Sequence, residues 1–400
     1  MDKVSLPERA DWKKTAEANG FQFHTMHGEP YWDESSAYAL SLEQIENDIE
    51  YPAGELHEMC REAVARVCVS EQLMDLLAIP EMHRDMIAGS FHDDDPELYG
   101  RFDLIYDGKG PAKMIEYNAD TPTSLYESAS FQWQWLEDQI QAGILPEASD
   151  QFNSIHEALV RRFGEILPKG ENIHFAALGD ADNNIEDYST TECLGWAARE
   201  AGCIPHYTDL VRIGLTPEGQ FADSEDKVIG TLFKLYPWED LLRDDFAAHI
   251  AGSQCRFIEP AWKAIMSNKG LLPVLWEMFE GHPNLLASFF KSDFDALTPA
   301  VQRSMAELSR GYVTKPVFSR EGSSITITEN GNATEIAQDQ SYDENPMIVQ
   351  AYREMPVFDG FRPVLGAWIV GRSCVGLGIR EDRSRITQDL SRFKPHFIRD

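Results

Sequence analysis

Apolar and polar residues alternate along two short segments on either side of a turn signal near residue 108. The alternation covers residues 101–106 and 112–118, and it is the pattern of half-buried strands. The intervening residues 107–111, Asp-Gly-Lys-Gly-Pro, favour a tight turn. The pattern therefore predicts a β-hairpin within 96–118.

The expected register of this hairpin brings four polar residues onto one face. A four-residue loop over 108–111 places Asp103 opposite Glu116 and Arg101 opposite Asn118. Two facing carboxylates repel unless a cation lies between them, and such oxygen ligands suit Mg²⁺ completed by substrate phosphates. A neighbouring arginine suits phosphate. A solvated hairpin face with a cross-strand ion pair explains the same spacing, so both interpretations stay open.

Helical periodicity dominates the first 95 residues. One apolar pattern runs over 58–79 and is closed by Pro80. After the hairpin, Ser-Leu-Tyr-Glu at 124–127 fits a capping box at the start of a helix. Residues 121–123 then precede a helix N-terminus, where a carboxylate ligand is favoured. Capping of the helix alone also explains the threonines there.

A strand–helix–strand pattern begins near residue 171. Residues 173–178 and 204–208 are predicted to be strands, and 190–201 are predicted to be the helix between them. The loop 179–188 follows the first strand, at the edge of an α/β sheet where ligands bind. Because the loop lacks Gly-x-Gly-x-x-Gly, we do not expect a dinucleotide there.

The last third of the chain begins with a helical pattern over 262–279 and becomes strand-rich after Leu308. The predicted strands are 312–318, 324–328, 347–352, 362–370 and 373–380. Residues 319–324, Ser-Arg-Glu-Gly-Ser-Ser, form a small-residue loop whose backbone amides can close over a triphosphate. Lys269 and Lys315 are candidate phosphate ligands, although each lysine taken alone is better explained as a surface residue. No P-loop motif is present.

Composition restricts the class of protein and its partners. A chain of 400 residues with 43% hydrophobic and 26% charged residues is expected to fold into two or three domains. Six scattered cysteines, no apolar stretch of about 20 residues and no leader pattern predict a cytoplasmic protein. The net charge of −32 argues against nucleic acid or an anionic membrane as partner. It is compatible with a cationic substrate and equally with plain solubility.

Five segments, in order, resemble the glutathionylspermidine synthase family, specifically its ATP-grasp synthetase domain. They are Arg-Phe-Asp at 101–103, Glu-Tyr-Asn-Ala-Asp at 116–120, Trp-Lys-Ala-Ile-Met-Ser-Asn-Lys at 262–269, Lys315-Pro316 with Arg320-Glu321-Gly322, and the run 349–380 that ends Gly-Leu-Gly-Ile-Arg. The resemblance implies an α+β or α/β protein with a permuted ATP-grasp fold and an associated pre-ATP-grasp-like α/β domain. In this permuted order the metal-ligand strands precede the nucleotide-clamping lysines.

The resemblance and the patterns together divide the chain into four parts. We expect a mostly helical N-terminal part at 1–95, the metal-ligand hairpin and helices of the ATP-grasp core at 96–170, a substrate-side α/β domain at 171–260, and the ATP-grasp lid and nucleotide-binding strands at 261–400.

The resemblance also implies a role for individual residues. The Mg²⁺ ligands would be Asp103, Glu116 and Asn118. ATP would be held by Lys269, Lys315, Arg320, Gly322 and Gln350. The catalytic arginines would be Arg101 and Arg380. Substrate contacts would come from Thr121, Thr123, Glu186 and Asp187.

Two departures from the family pattern affect the expected substrates. Nothing in the sequence supplies the N-terminal amidase domain of the bifunctional members. Residues 121–123 read Thr-Pro-Thr, where the characterised synthetases carry serines. We therefore expect the metal and ATP sites to carry over better than the glutathione site.

The implied activity is the ATP- and Mg²⁺-dependent joining of a peptide-like acid, glutathione or similar, to a polyamine or other amine through an acyl phosphate. The partners would be small molecules, and a homo-oligomer is compatible with the sequence. Three alternatives stay open. The chain could catalyse another ATP-grasp reaction with a different acid and amine, bind nucleotide or polyamine without catalysis, or serve as an acidic scaffold.

Overall fold

The computed structural model describes residues 1–26, 28–179, 184–320, 322–386 and 391–399. The expected lid residue Glu321 and residues 180–183 of the loop after the first parallel strand lie outside the described residues. Within the described ranges, no helix is long and apolar enough to cross a bilayer.

The helices are distributed over the whole chain. The α-helices are Trp12–Ala18, Leu42–Ile45, Tyr51–Cys68, Glu71–Leu76, Arg84–His92, Gln132–Gln141, Ile155–Ile166, Ile185–Glu200, Trp238–Leu241, Lys263–Met266, Leu271–Met278, Lys291–Asp295, Pro299–Arg303 and Met305–Leu308. Two π-helical turns, Glu46–Glu50 and Glu127–Phe131, lead into longer helices. Short 3₁₀ turns cover Glu81–His83, Leu210–Arg212 and Ala247–Gly252.

A five-stranded antiparallel sheet, called here the central sheet, lies between two hydrophobic cores. In spatial order its strands are Arg392–Lys394, Ser373–Asp382, Arg362–Val370, Tyr99–Ile105 and Lys113–Asn118. Its two longest strands meet at Gly371, whose φ of 58° suits a tight turn. The sheet therefore joins the predicted hairpin to strands from the C-terminal third of the chain.

The predicted hairpin is confirmed, and its register contains a β-bulge. Asp103 pairs with Glu116 as expected, but Ile105 pairs with Lys113 because the register shifts by one residue beyond Asp103. The loop is therefore longer than four residues, and the bulge at Ile115 compensates for the difference. A one-residue shift in register would turn every side chain of a strand to the other face of the sheet. The bulge absorbs this shift, so the polar residues stay on one face.

The two faces of the central sheet pack against different elements. Phe102 and Leu365 belong to a core that includes helix Tyr51–Cys68. Tyr99 and Trp368 belong to a second core that also contains residues of the parallel sheet. Every residue of Tyr99–Ile105 is buried, so this strand is covered on both faces.

Two further sheets flank the central sheet. The parallel sheet has the order Arg256–Ile258, Thr231–Leu235, Asn172–Ala177 and Ile204–Asp209, and confirms the strand–helix–strand pattern. The outer antiparallel sheet has the order Ser288–Phe290, Met347–Ala351, Tyr312–Pro316, Thr326–Glu329 and Asn332–Ile336. A small sheet of Asp2–Ser5, Ser36–Leu40 and His396–Ile398 brings both chain ends together. Two-stranded pairs are formed by Thr25–Met26 with Glu29–Pro30 and by Gly214–Leu215 with Phe221–Ala222.

Several predicted helices have different bounds in the structure. The pattern over 58–79 forms two helices, because the Ser70 side chain accepts a hydrogen bond from Leu73 N and starts a new helix. Among the described residues, the first 40 contain short strands besides one helix. The prediction of a mostly helical N-terminal part therefore holds only from Leu42 to His92. The helix predicted over 190–201 begins at Ile185.

Candidate active site

One face of the central sheet carries a buried cluster of two carboxylates and two arginines. Asp103 is directly opposite Glu116, and Arg101 is opposite Asn118. Arg101 Nε donates to one oxygen of Asp103 at 2.9 Å, and Arg380 donates to the other at 2.7 Å. Arg101 and Asp103 are only 6% and 3% exposed, which rules out the solvated-face alternative for these two residues.

Glycines in the two longest strands make room for this cluster. A Cβ on Gly366, which pairs with Asp103, would lie 2.8 Å from Cδ of Arg101. A Cβ on Gly378 would lie 2.7 Å from the Ser128 hydroxyl oxygen. The Arg101 side chain therefore lies across the sheet in space that only glycine leaves open.

Two lysines approach the cluster from other elements. Lys269 Nζ lies 3.4 Å from a Glu116 oxygen, and Asn118 donates to Glu116 at 3.3 Å. Lys315 Nζ donates to the carbonyl of Ile115 at 2.9 Å. That carbonyl belongs to the bulged residue, so the bulge also anchors a lysine from the outer antiparallel sheet.

These lysines shift the ionisation of the cluster. Burial on its own would raise the pKa of Glu116, but Lys269 and Lys315 lower it to about 2. Burial lowers the pKa of Lys315 to about 8, although Glu116 opposes the shift. Glu116 is therefore ionised at neutral pH, and Lys315 carries a charge that an anionic ligand would stabilise.

A break in the helix predicted over 262–279 positions Lys269. The side chain of Asn268 accepts from Gly270 N at 2.7 Å and donates to the Leu77 carbonyl at 2.8 Å. Lys269 N then donates to Val317 O at 3.0 Å, and its Nζ donates to Ser319 O at 2.7 Å. The loop of 267–270 thus ties the lysine to the segment that follows strand Tyr312–Pro316.

The cleft beside the carboxylates combines a charged end with a largely apolar lining. Asp103, Glu116 and Lys315 form the charged end, and Arg353 and Arg385 add charge to the otherwise apolar remainder of the lining. The remaining lining includes Leu286, Val313, Gly322, Ile325, Ile327, Gln350, Tyr352, Arg385 and Ile386. Gln350 is buried and donates to the Met114 carbonyl at 3.4 Å. This combination suits a ligand with a flat apolar group and a polyanionic tail.

The residues expected on the substrate side lie next to the arginines. Arg320 donates to the Thr121 hydroxyl at 3.3 Å, so the structure places this arginine beside residues 121–123 and not in the lining of the cleft. The carbonyl of Thr123 accepts from Arg101 at 2.8 Å. Residues 121–123 are therefore held close to the carboxylate cluster.

Glu186 and Asp187 do not lie in a loop, as the sequence suggested, but in the first turn of helix Ile185–Glu200. Asn184 caps that turn by accepting from Asp187 N and donating to its carboxylate at 2.8 Å. Burial on its own would lower the pKa of Arg380, but Asp103 and, more weakly, Glu186 raise it. The helix N-terminus therefore brings an acidic residue toward the cluster.

The capping box predicted at 124–127 is not formed. Ser124 has a φ of 65°, and its hydroxyl lies 3.2 Å from the Tyr31 hydroxyl. Tyr31 donates to Glu127 at 2.5 Å, and burial raises the pKa of Glu127 although Arg101 opposes the shift. Tyr31 and Glu127 were missed by the sequence analysis, and no local signal connects two residues so far apart in the chain.

A buried ion pair fixes the segment between the metal-ligand strand and the threonines. Lys234 Nζ lies 2.9 Å from Asp120, and both side chains are 1% exposed. Asp120 also accepts from Trp238 N at 2.7 Å. This pair connects residues 119–123 to the parallel sheet and is a positioning element that the sequence analysis did not identify.

The oxygen ligands on this face suit Mg²⁺ chemically. Asp103, Glu116 and Asn118 offer two carboxylates and one amide oxygen, and Mg²⁺ commonly takes one or two carboxylates plus substrate phosphates. In the part of the chain that the structure describes, no group of three or more His, Cys, Asp or Glu side chains could hold a metal. A cation here would therefore depend on the ligand for its remaining oxygens.

Comparisons with known proteins agree with this geometry. A sequence model described as "Glutathionylspermidine synthase preATP-grasp" matches residues 3–399. A putative acid–amine ligase of Haemophilus influenzae is 38% identical over the full length of both chains. Trypanothione synthetase of Crithidia fasciculata is 27% identical, with 83% of this chain and 52% of the relative covered. The bifunctional glutathionylspermidine synthetase/amidase of Escherichia coli is 24% identical, with 90% and 59% covered. The chain thus spans little more than half the length of these last two relatives.

A solved structure shows a similar fold. The glutathione synthetase-like effector of Globodera pallida, in apo form, superposes with a TM-score of 0.56 at 12% identity and covers 91% of this chain and 89% of its own. The fold is thus a mixed α/β, glutathione synthetase-like architecture, consistent with the ATP-grasp enzymes. The chain belongs to the glutathionylspermidine synthase family, and with it to the ATP-dependent ligases that join an acid to an amine.

Proposed function

We propose that this protein uses ATP and Mg²⁺ to join a peptide-like acid to a polyamine or another amine. The observation that carries the proposal is the facing pair Asp103 and Glu116 with cations on both sides in one cleft. Two carboxylates would hold Mg²⁺, which neutralises charge on a transferring phosphoryl group. The arginines and lysines around them are the groups that bind phosphate oxygens.

The nucleotide would occupy the cleft between the central and outer antiparallel sheets. Lys269 and Lys315 would bind the phosphates at the charged end, and Gln350 would lie beside the base. Gly322 belongs to the segment that would close over the phosphates. Asp103, Glu116 and Asn118 precede these lysines in the chain, which supports a permuted ATP-grasp arrangement with a pre-ATP-grasp-like α/β domain.

The reaction would proceed in two steps. The γ-phosphoryl group of ATP passes to the substrate carboxylate, which gives an acyl phosphate and ADP. The amine nitrogen then attacks the carbonyl carbon, the amide C–N bond forms, and phosphate leaves. Arg101 and Arg380 would stabilise the phosphoryl and tetrahedral oxygens, because each donates to a different oxygen of Asp103 and so lies beside the proposed Mg²⁺ ligands. Exclusion of water would protect the acyl phosphate.

The two organic substrates would bind next to the arginines. Thr121 and Thr123 would contact the acid, since Thr121 lies beside Arg320 and the Thr123 carbonyl accepts from Arg101. Glu186 and Asp187 would supply negative charge that suits an amine. The relatives' names suggest glutathione and spermidine as a first pair to test, while the Thr-Pro-Thr segment at 121–123 favours a wider choice of acids.

The test is the release of ADP from ATP with acids and amines combined. Glutathione and short peptides are each paired with spermidine, putrescine, diaminopropane and amino acids, and the Asp103→Ala/Glu116→Ala variant serves as blank. We expect Mg²⁺-dependent release that requires one acid and one amine together. Full activity of the double variant would refute the metal assignment. ATP turnover that needs an acid alone would favour carboxylate phosphorylation without amide formation.

Two alternatives predict different outcomes. A nucleotide- or polyamine-binding relative without catalysis would bind ATP and release no ADP with any pair. An acidic scaffold would show no saturable binding of Mg-ATP in a thermal-shift titration. The burial of Arg101 beside Asp103 favours the enzyme, because a scaffold has no need to bury a cation beside a carboxylate.

A further inference from the structure

We propose that a second cleft, lined by arginines, binds a small multiply charged anion. The cleft has a volume of about 660 Å³ and lies where helix Ile155–Ile166 meets the hairpin turn at Gly371. Val370 lies beside that turn. It is four residues along its strand from Gly366, which pairs with Asp103. At about 3.3 Å per residue, these two backbone positions are about 13 Å apart along the sheet.

The charge of this cleft differs from that of the rest of the molecule. The whole chain has 67 acidic and 35 basic residues, whereas the cleft is lined by five arginines and four acidic residues. The arginines are Arg61, Arg161, Arg162, Arg256 and Arg372. The rest of the protein is strongly acidic, so its overall charge does not account for this local excess of guanidinium groups. The excess therefore indicates a binding site for an anion.

Backbone carbonyls, and not only carboxylates, hold two of these arginines in place. Arg162 Nε donates to the Glu97 carbonyl at 2.8 Å, and Arg256 donates to the Ile166 carbonyl at 3.0 Å. A carbonyl orients a guanidinium group without neutralising its charge. Arg162 also pairs with Glu165 at 3.0 Å, whereas the remaining N–H groups of Arg256 stay available for an anion.

Most of the acidic residues of the cleft already form ion pairs with its arginines. Arg61 pairs with Asp94 at 2.9 Å and with Glu97 at 2.9 Å. Arg372 reaches only the already paired Asp94, at 3.5 Å. Among the described residues, Arg161 forms neither an ion pair nor a hydrogen bond with its side chain. The like charges that converge here would be relieved by a bound anion.

The lining also limits the class of ligand. Guanidinium forks match carboxylate and phosphate groups with two parallel hydrogen bonds. No aromatic side chain lines the cleft in the described part of the chain, so nothing would stack on a nucleotide base. The shared chemistry is therefore a compact phosphate or polycarboxylate, and the proposal is independent of the ATP cleft.

Isothermal titration of the full-length protein with pyrophosphate and with citrate, at constant ionic strength, tests the site. The variant Arg161→Gln/Arg372→Gln removes two exposed cations of the cleft, and Arg303→Gln/Arg310→Gln makes the same charge change elsewhere on the surface. We expect saturable binding that weakens roughly tenfold or more in the first variant and is unchanged in the second. ATP turnover and the thermal midpoint should be unaffected in both variants.

Three outcomes would overturn the proposal. These are no saturable binding of either anion at millimolar concentration, binding that persists unchanged in Arg161→Gln/Arg372→Gln, and an equal loss in both variants. Binding of pyrophosphate but not citrate would assign the site to phosphate compounds, and the reverse result would assign it to polycarboxylates. Binding in the ATP cleft would persist in the first variant, so the two sites are distinguishable.

Discussion

Raising the pH above 8 should weaken ATP binding through Lys315. Burial lowers the pKa of this lysine to about 8, and its side chain is anchored to the Ile115 carbonyl beside Glu116. The protonated form is the one that attracts phosphate. Because the free protein loses this proton as the pH rises through 8, its affinity for ATP should fall over the same range.

The magnitude follows from the titration of one group. With a pKa of about 8, the protonated fraction falls from about three-quarters at pH 7.5 to about 3% at pH 9.5. If only the charged form binds, the Kd for ATP rises by up to roughly 25-fold.

The lowered pKa of Lys315 has the opposite effect on the stability of the ligand-free protein, which increases with pH. The unfolded chain keeps the proton up to a pKa of about 10.5, while the folded protein releases it near 8. The unfolded state therefore binds more protons between these values, and the free energy of unfolding rises with pH by at most roughly 3 kcal/mol from this group. Bound phosphate would offset that penalty at neutral pH.

The assay is the binding of Mg-ATP without acid or amine, measured by calorimetry from pH 7.5 to 9.5. Lys315→Arg should flatten the profile, because a guanidinium stays charged over this range. Lys291→Arg, at an exposed lysine paired with Asp295, should behave as the wild type. A flat wild-type profile, or one that falls equally in Lys315→Arg, would refute the reasoning.

Two further predictions concern positioning residues. Gly366→Ala should lower ATP turnover roughly tenfold or more, because its Cβ would push Arg101 from its place; Gly164→Ala, which no atom approaches within 4 Å, should leave turnover unchanged. Asp120→Asn should destabilise the protein by about 3 kcal/mol, because it leaves Lys234 buried without a counter-charge. Urea unfolding measures that loss, and a change below about 1 kcal/mol would contradict the structural role of the pair.

Local patterns predicted the elements around the site better than the contacts between them. The hairpin, the strand–helix–strand unit and the strands at 362–370 and 373–380 were recognisable, because alternation and turn residues act over a few neighbouring positions. Lys315 at the end of its strand was recognisable in the same way. The residue roles and the domain boundaries remain predictions.

The wrong predictions arose where a side chain forms its hydrogen bond with a residue far away in the chain and not with a neighbouring one. Ser124 and Glu127 have the spacing of a capping box, but both side chains turn to Tyr31, which lies more than 90 residues earlier. The helical pattern over 262–279 breaks where Asn268 bonds to Leu77. A buried hydrogen bond to another element outweighs a weak local preference, because an unsatisfied buried group costs more than a lost cap.

The sequence by itself determined the hairpin, the pairing of Asp103 with Glu116 and the family to which the chain belongs, since these depend on residue order over short spans. Only the tertiary structure decided which cations surround the carboxylates. Arg380, Lys269 and Lys315 come from separate elements, and their approach depends on sheet order, a bulge and the space left by glycines. No short-range pattern encodes these distances, because packing between elements sets them.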